Sequence, residues 1–516
     1  MMQNLILEKS DGAPSAVEAS NTDFALGVGD FSYGDLYRPE RLRALAETFY
    51  AELESADAPL HRELAQHLAA RGRNLAGTKQ ESELLIAAAP HLSRFVARLF
   101  RVEMERAAQI AAVCGQDAVF QLKVFVARRA LKKFPVAQAL TINAEQARAA
   151  LMLLRRAAFA DTLADDDELG ISRLTVRLLA WEQHLVKGMA ATSDQTVAAQ
   201  DAELSHDVKA ALIRVNKSEA GAALAEFADK SVADADLAFV RAALRVLEAW
   251  AAAHAVQPGA KRHVRGWVSF RLPHPLDYER LVQIERPRAE LPELLHGLDQ
   301  NLRRRDGFAL TDPRATKREV LDEVDYCLYC HERDKDSCSK GLRERDGTVK
   351  RNPLGITLEG CPLDEKISEM HVLKKAGDSI AALALVIIDN PMCPGTGHRI
   401  CNDCMKSCIF QKQEPVNIPQ AETGVLTDVL ELPSGFEIYS LLTRWNPLNA
   451  KRPYALPYNG KNVLVVGLGP AGYTLAHYLL NEGFGVVGID GLKIERLDKS
   501  LTGDGGRLVP RAVRDV

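Results

Sequence analysis

Hydrophobic residues between residue 39 and about residue 256 recur every three or four positions, which is the period of an amphipathic helix. One such series is Leu42, Leu45, Phe49 and Leu53. The pattern predicts about eight or nine helices, packed as a bundle or an irregular α domain. Residues 1–38 have no sustained period and are predicted to form a loose leader, so the predicted α-helical domain, which has no assigned role, covers residues 39–315.

The pattern changes from Asn462 onward to a strand, a glycine turn, a helix and a second strand. The turn contains Gly467, Gly469 and Gly472 in G-x-G-x-x-G spacing, and Asp490 follows at the end of the second predicted strand. This context is typical of a dinucleotide site, because the glycines permit a tight turn and a close approach of the pyrophosphate to the helix N-terminus. Asp490 is then expected to accept hydrogen bonds from the adenosine ribose hydroxyls.

The remaining boundaries follow from composition. Residues 426–460 combine several prolines with aromatic residues and are predicted to form an ordered connector between a domain at 316–425 and the nucleotide-binding segment at 461–516. A length of 516 residues is too great for one compact domain. The multidomain fold predicted is therefore mainly helical, with an α/β Rossmann-like segment at the carboxyl end.

The overall charge excludes some classes of partner. The net charge is -4 and the pI is about 6.4, so the chain lacks the basic surface that nucleic acids or anionic membranes require. Its longest apolar run, at positions 380–388, is far shorter than the roughly 20 residues that cross a bilayer, and the amino-terminal segment does not resemble a secretory signal. We therefore expect no membrane segment and a cytoplasmic location.

Eight of the nine cysteines lie between Cys327 and Cys408. They form two groups of four with spacings C-x2-C-x7-C-x22-C and C-x7-C-x2-C-x3-C. Disulfides are rare in the cytoplasm, and four thiolates suit either a structural zinc ion or an iron–sulfur cluster. Prolines directly after Cys361 and Cys393 favour iron. Cys114 stands apart on a helical segment and is predicted to be a small buried hydrophobe. The candidate ligands are Cys327, Cys330, Cys338, Cys361, Cys393, Cys401, Cys404 and Cys408.

The segments GCPLDEKISEMH, CPGTGHRICNDCMKSC, EPVNIPQAE and NVLVVGLGPAGYTLAHYL together resemble a known family. They are similar to the iron–sulfur domain and first flavin strand of the glutamate synthase small subunit and dihydropyrimidine dehydrogenase. The resemblance covers about residues 318–495 and leaves the amino-terminal region before it unexplained. It implies an α-helical domain at 316–425 that holds two 4Fe-4S clusters, followed by the start of an FAD domain.

The resemblance also implies how the cysteines are shared. Cys327, Cys330 and Cys338 would bind one cluster together with Cys408, and Cys361, Cys401 and Cys404 would bind the other. Cys393 and Glu422 are rival fourth ligands of the second cluster, because a glutamine of the family stands where Glu422 lies. The segment directly before Cys361, at positions 339–360, departs from the family and is interpreted as an inserted loop. His331, beside Cys330, is expected to support a ligand or to lie at the surface.

The G-x-G-P-A-G turn, including Pro470 and Ala471, resembles the FAD site of the same family and implies NADPH as the donor in a complete enzyme. The chain ends at Val516, soon after Asp490. A truncated sequence, an interrupted gene, or a subunit completed by a second polypeptide would each explain this ending. We expect FAD binding by the chain alone to be weak or lost, because half of the βαβαβ unit is missing.

The sequence thus predicts an electron-transfer iron–sulfur flavoprotein oxidoreductase, or a portion of one, that relays electrons between NAD(P)H-reduced FAD and a partner or substrate site. No residue can be named as a proton-transfer or nucleophilic catalyst. Two alternatives remain open at this point. One is a scaffold stabilised by zinc that binds a nucleotide, and the other is a non-enzymatic assembly subunit.

Overall fold

A computed structural model describes residues 24–75, 78–159, 166–188, 231–282, 284–297 and 314–491, with a few residues between 206 and 227. The described chain is mostly helical with few strands, which confirms the predicted helical character of the amino-terminal region. It divides into two compact units that are discontinuous in sequence. The first unit comprises residues 1–106, 380–396 and 426–516, and the second comprises 107–379 and 397–425.

The first unit begins with three long helices and ends with a small α/β segment. Pro39 at the first helical position and Asp57, whose side chain accepts from the Leu60 N–H at 3.0 Å, start the first two α-helices. The helices that lie wholly or mostly in this unit are Tyr33–Tyr37, Pro39–Ala56, Ala58–Ala69, Thr78–Phe100, Ser379–Asp389, Gly435–Leu442 and Pro470–Asn481. The helices Glu103–Cys114, Cys393–Ile400 and Ile418–Leu430 pass from one unit into the other.

Aromatic packing ties the predicted connector to the amino-terminal helices of the same unit. Trp445 is fully buried, with its ring centroid 5.8 Å from that of Phe95, which in turn packs edge-on against Phe49 at 5.6 Å. The Tyr50 hydroxyl donates to the Pro447 carbonyl at 2.9 Å. Residues 426–460 are therefore ordered by burial of their aromatic side chains in this core.

The second unit contains a large helical core. The fully buried Trp181 and Trp250 lie in this core, which is built mainly from the helices Ala144–Phe159, Asp167–Gly188 and Ala235–Val256. The remaining α-helices and 3₁₀ or π turns of the unit are Asp117–Phe125, Val126–Ala130, Leu131–Lys133, Val136–Ala139, Glu219–Ala225, Pro258–Lys261, Arg262–Val264, Val268–Phe270, Lys317–Tyr326, Cys330–Arg333, Ser337–Lys340, Ile367–Lys375 and Asp403–Lys406.

Charged side chains join the helix Lys317–Tyr326 to the helical core of the same unit. Arg318 donates to Asp166 and to Glu168 at 2.5 and 3.0 Å, and Lys123 donates to Asp322 at 2.5 Å. Burial raises the pKa of Asp322 to about 6, against the opposing effect of Lys123. The predicted boundary at residues 315 and 316 therefore falls inside one compact unit.

Strands are few in the described residues. Ile284–Glu285 pairs antiparallel with His296–Gly297, and Asn462–Val466 pairs parallel with Gly485–Ile489. The helix Pro470–Asn481 connects the second pair, so the sequence pattern of strand, glycine turn, helix and strand becomes a βαβ unit.

Two expectations from the sequence need correction. Residues 24–38, assigned to the loose leader, bury Leu26, Val28 and Phe31, because the Gly27 N–H bonds the Leu99 carbonyl at 2.8 Å and anchors the segment on a helix. Cys114 is exposed and not a buried hydrophobe, because it lies at the end of the helix Glu103–Cys114, which buries none of its residues. Residues 1–23 of the predicted leader lie outside the described residues.

One helical run among the described residues, Glu103–Lys133, is long and apolar enough to cross a membrane by length and composition alone. This differs from the expectation drawn from uninterrupted apolar runs, because the helical run has a high mean hydropathy although polar residues interrupt its apolar ones. A single such helix is weak evidence for a membrane segment, because core helices of other proteins share this length and composition.

Candidate iron–sulfur and nucleotide sites

The first set of thiols, defined as Cys327, Cys330, Cys338 and Cys408, lines a single cavity in the second unit. Cys327 caps the helix Lys317–Tyr326, and Cys330 begins the next short turn. Tyr329 between them has a left-handed backbone, with φ of 47°, and its N–H donates to the Cys327 sulfur at 3.4 Å. The C-x2-C spacing thus folds as a tight turn with a backbone amide directed at a sulfur atom.

Burial raises the pKa of every thiol in the first set. The pKa of Cys327 is raised to about 12 and that of Cys330 to about 11, while that of Cys338 lies well above its usual range. For Cys408 the backbone N–H groups of Phe410, Val416 and Ile409 oppose the effect of burial. Burial therefore favours the protonated form of all four thiols.

The inserted loop at positions 339–360 closes on itself at a narrow base. The Cys361 N–H donates to the Cys338 carbonyl at 2.8 Å, and the Leu342 N–H donates to the Leu358 carbonyl at 2.8 Å. Gly341 and Gly360 have φ of 86° and 90°, and a Cβ on Gly360 would lie 2.4 Å from the Gly341 nitrogen. The base therefore brings the backbones of Cys338 and Cys361 together although the whole loop separates them in sequence.

The second set comprises Cys361, Cys401 and Cys404, which lie near one another in the second unit together with Glu422. Burial raises the pKa of Cys361, against the backbone N–H groups of Glu365 and Leu363, and the nearby Cys401 and Glu422 raise it further. Burial also raises the pKa of Cys404, to which Glu365, Cys361 and Glu422 add. The Gly360 N–H donates to the Ser407 hydroxyl at 2.9 Å, which fixes Cys361 to the turn that carries Cys404 and Cys408.

The two rival fourth ligands have different surroundings. Glu422 is buried on the helix Ile418–Leu430 and faces both Cys361 and Cys404. Cys393 is also buried, but it belongs to the first unit, where Tyr439 is its neighbour and donates to the Pro391 carbonyl at 2.8 Å. The structure therefore brings Glu422 to the second set and places Cys393 in another unit.

Three polar side chains that the sequence did not single out also line the cavity of the first set, namely Ser337, Ser368 and His371. His371 is fully buried, and Ser337 lies beside Cys338. No described residue forms a hydrogen bond with either ring nitrogen of His371 or with the Ser337 hydroxyl. Burial lowers the pKa of His371 to about 4, so the ring is neutral near pH 7. No spacing motif marks any of the three, since they were found only through the fold.

His331 is buried beside Cys330, and its Nδ1 lies 2.6 Å from the Ser368 hydroxyl. This position fits a supporting role, which stays a prediction. Among the side chains that the structure describes, no group of three or more His, Cys, Asp or Glu residues converges closely enough to hold a metal ion. The thiols of the first set stand around their cavity in the bare chain and do not meet at one point.

The glycine turn has the backbone geometry of a dinucleotide loop. Gly467 has φ of 92°, and a Cβ on Gly472 would lie 1.8 Å from the Gly467 carbonyl oxygen. Gly469 has open space around the position of a Cβ and caps the helix that begins with Pro470 and Ala471. The first and last glycines therefore serve the turn itself, and the middle one leaves room for a ligand at the helix N-terminus.

Asp490 follows the strand Gly485–Ile489 directly and returns to the glycine turn. Its carboxylate accepts from the Leu468 N–H at 2.5 Å, and the residue is exposed. The candidate nucleotide residues Gly467, Gly469, Pro470, Ala471, Gly472 and Asp490 thus lie at one end of the βαβ unit. The predicted segment beyond residue 491 lies outside the described residues.

The chain shares short regions with known proteins. Residues 26–101 match the family described as the RP005 N-terminal alpha-helical domain. Two similar proteins come from Rickettsia prowazekii (strain Madrid E). The uncharacterized protein RP006 is 58% identical over 106 residues, which are 20% of this chain and 15% of RP006. The uncharacterized protein RP005 is 48% identical over 63 residues, which are 11% of this chain and 21% of RP005. The chain thus spans only a minor part of the length of either relative. No solved structure matches.

Proposed function

We propose that the chain is the electron-transfer portion of an iron–sulfur flavoprotein oxidoreductase and holds two 4Fe-4S clusters. The proposal is carried by the grouping of the thiols: Cys408 joins three cysteines from a distant part of the chain around a single cavity, and three more thiols lie together beside a buried carboxylate. Clusters of this type take up and release single electrons, and a flavin links such steps to the two-electron chemistry of NADPH. The reducing cytoplasm is the compartment that we propose for it.

The residues present fit such clusters. Cys327, Cys330, Cys338 and Cys408 would hold the first, with backbone N–H groups directed at their sulfur atoms. The second would be held by Cys361, Cys401 and Cys404, with Glu422 as the fourth ligand in preference to Cys393. Carboxylate and thiolate ligands both become stable in their charged forms beside iron, which offsets the cost of burying them.

The glycine turn supports a second part of the proposal, a site for FAD. The exposed amides at the start of the helix Pro470–Asn481 would face the pyrophosphate, and Asp490 would orient the ribose while it holds the Leu468 amide. NADPH would supply hydride in the complete enzyme. These assignments rest on the turn geometry and on the family resemblance of the segment.

The two-stranded sheet exposes apolar side chains that a complete flavin domain would cover. Val466, Leu464 and Val487 are 75%, 59% and 56% exposed. Large exposed apolar patches mark surfaces that pack against another element. We therefore propose that a second subunit, or further polypeptide of the same domain type, completes this sheet and the flavin site.

Metal analysis and electron paramagnetic resonance test the cluster proposal. The full chain is purified without oxygen and reconstituted with iron and sulfide, and its metal content and spectrum are measured after dithionite reduction. We expect iron and sulfide in equal amounts and two rhombic signals. A chain that binds zinc and gives no electron paramagnetic resonance signal after reduction would favour a scaffold stabilised by zinc, because zinc has no redox chemistry.

Titration with FAD tests the nucleotide proposal. Gly469→Val adds a branched side chain where the pyrophosphate would lie, and it should lower the affinity at least tenfold relative to the parent chain. Gly460→Ala is the control, because Gly460 lies in open space outside the turn. Measurable FAD binding by the parent chain with an affinity that Gly469→Val leaves unchanged would refute the site. Absence of NADPH oxidation with an artificial acceptor, in a chain completed by its partner and loaded with FAD, would favour a non-enzymatic assembly subunit.

A further inference from the structure

The cavity of the first set contains a buried imidazole that lacks a visible partner. His371 lies on the helix Ile367–Lys375 and faces the same space as the four thiols. It is fully buried, and both of its ring nitrogens are without a hydrogen bond to any residue that the structure describes. The rest of the wall is mainly apolar and includes Ile367, Phe410 and Ile418.

An unpaired imidazole at such a position is costly. Most buried polar groups in proteins have a hydrogen-bond partner, and a buried donor or acceptor without one destabilises the fold. A leucine would fill the position without this cost. No charged group acts on His371, since burial alone perturbs its pKa. The missing partner is therefore expected inside the cavity that His371 lines together with the four cysteines.

We propose that the N–H of His371 donates a hydrogen bond to a sulfur atom of the first cluster and thereby raises the reduction potential of that cluster. This inference rests on the proposed function, because it requires a cluster in the cavity. A hydrogen bond to sulfur stabilises the additional negative charge of the reduced state, so it favours reduction.

Carboxylates act on both sets. In the first set the Cys338 thiol donates to the buried Asp336 at 3.0 Å, and Asp336 also acts on Cys327 and Cys330. Glu365 and Glu422 act on Cys404, and Glu422 also acts on Cys361. Nearby carboxylates oppose the addition of an electron by direct repulsion. This repulsion therefore lowers the reduction potentials of both clusters, and the hydrogen bond from His371 opposes it at the first. Ser337, which also lacks a described partner in the cavity, would add a weaker hydrogen bond of the same kind.

A redox titration followed by electron paramagnetic resonance tests the inference on the reconstituted full chain. Cys330→Ser and Cys404→Ser first assign the two signals to the two sets. His371→Phe keeps a planar ring and removes both nitrogens, so we expect a lower midpoint potential for the first cluster and no change for the second. His254→Phe is the control, because His254 is an equally buried histidine in the helical core of the same unit.

A second variant and a spectroscopic measurement distinguish loss of the hydrogen bond from misfolding of the His371→Phe chain. His371→Gln retains an N–H donor and should keep the first midpoint closer to that of the parent chain than His371→Phe does. In protein labelled with ¹⁵N-histidine, pulsed electron paramagnetic resonance should detect a weak coupling between a histidine nitrogen and the first cluster. His371→Phe should abolish this coupling, and His331→Gln should preserve it. If the His371→Phe chain does not retain the first cluster, a midpoint potential of that cluster close to the parental value in His371→Gln supports the hydrogen bond. Loss of the first cluster from both variants overturns the inference.

Failure of the inference and failure of the proposed function give different results. A parent chain that binds no iron defeats the proposed function. If the parent chain binds two clusters and His371→Phe leaves the midpoint potential of the first cluster unchanged, only the inference is defeated.

Discussion

The two sets of thiols share one chemistry but differ in their surroundings. Cys330, Cys338 and Cys408 of the first set are buried, and their cavity is lined mainly by apolar groups together with a neutral histidine and two serines. A buried carboxylate, Asp336, accepts from the Cys338 thiol at 3.0 Å. In the second set Cys401 is exposed, and a buried carboxylate, Glu422, takes part. Cysteines that share one chemistry therefore do not form equal sites, because burial and the neighbouring groups set the properties of a cluster.

The base of the inserted loop connects the two sets. Cys338 belongs to the first and Cys361 to the second, and the hydrogen bond between their backbones joins them directly. The insertion lengthens the sequence between the two residues without separating them in space, since the loop entropy grows only slowly with length. Substitutions can therefore address each set separately, or both sets together at the base of the inserted loop.

The largest expected effect comes from removing one thiol of each set. Cys330→Ser should lose the first cluster and Cys404→Ser the second, each lowering the iron content by about half, because a 4Fe-4S cluster requires its ligands. Iron analysis and the two resonance signals measure the result. Cys114→Ser is the control and should retain all iron, since Cys114 lies outside both sets. Loss of all iron from either single variant would show that the sets are not independent.

A substitution at the base of the loop should affect both sets together. Gly360→Ala places a Cβ 2.4 Å from the Gly341 nitrogen at φ of 90°, and it should lower the free energy of unfolding by about 2–4 kcal/mol. Gly355→Ala is the matched control, because its φ is 78° but nothing lies near its Cβ. It should cost about 1 kcal/mol. Urea unfolding of the two variants measures the difference, and equal losses would contradict a crowded base.

The carboxylate should matter only to the second set. Glu422→Ala should speed iron loss from the second cluster about tenfold, in line with losses of supporting groups at metal sites. Glu422→Gln, which keeps an oxygen donor, should have a smaller effect. Glu431→Ala serves as the control, because Glu431 is exposed beyond the same helix. Unchanged iron release from the Glu422→Ala chain would return Cys393 as the candidate fourth ligand.

Exposure alone should produce the smallest difference. In the parent chain, a chelator or a mild oxidant should remove the second cluster several-fold faster than the first, because Cys401 is accessible to solvent. The decay of the two resonance signals over time measures the two rates. Faster decay of the first signal would reverse the comparison and would indicate that the cavity opens more readily than its burial suggests.

Local features of the fold could be predicted from the sequence. The helical period at Leu42, Leu45 and Phe49 matches the helix Pro39–Ala56, and the glycine pattern from Gly467 to Gly472 matches a βαβ turn. These features depend on residues close in sequence, so periodicity and turn chemistry are enough to specify them. The anchored segment at residues 24–38 was missed, because its order comes from a contact with Leu99 far along the chain.

The candidate site divides in the same way. The sequence by itself determined which thiols were available, the tight C-x2-C turn at Cys327 and Cys330, and the close packing of the glycine turn, since each involves neighbours a few residues apart. Only the tertiary structure decided that Glu422 lies with the second set and that His371 enters the cavity of the first. Both depend on how distant segments pack and on which groups lose contact with water, and no local pattern of residues encodes these.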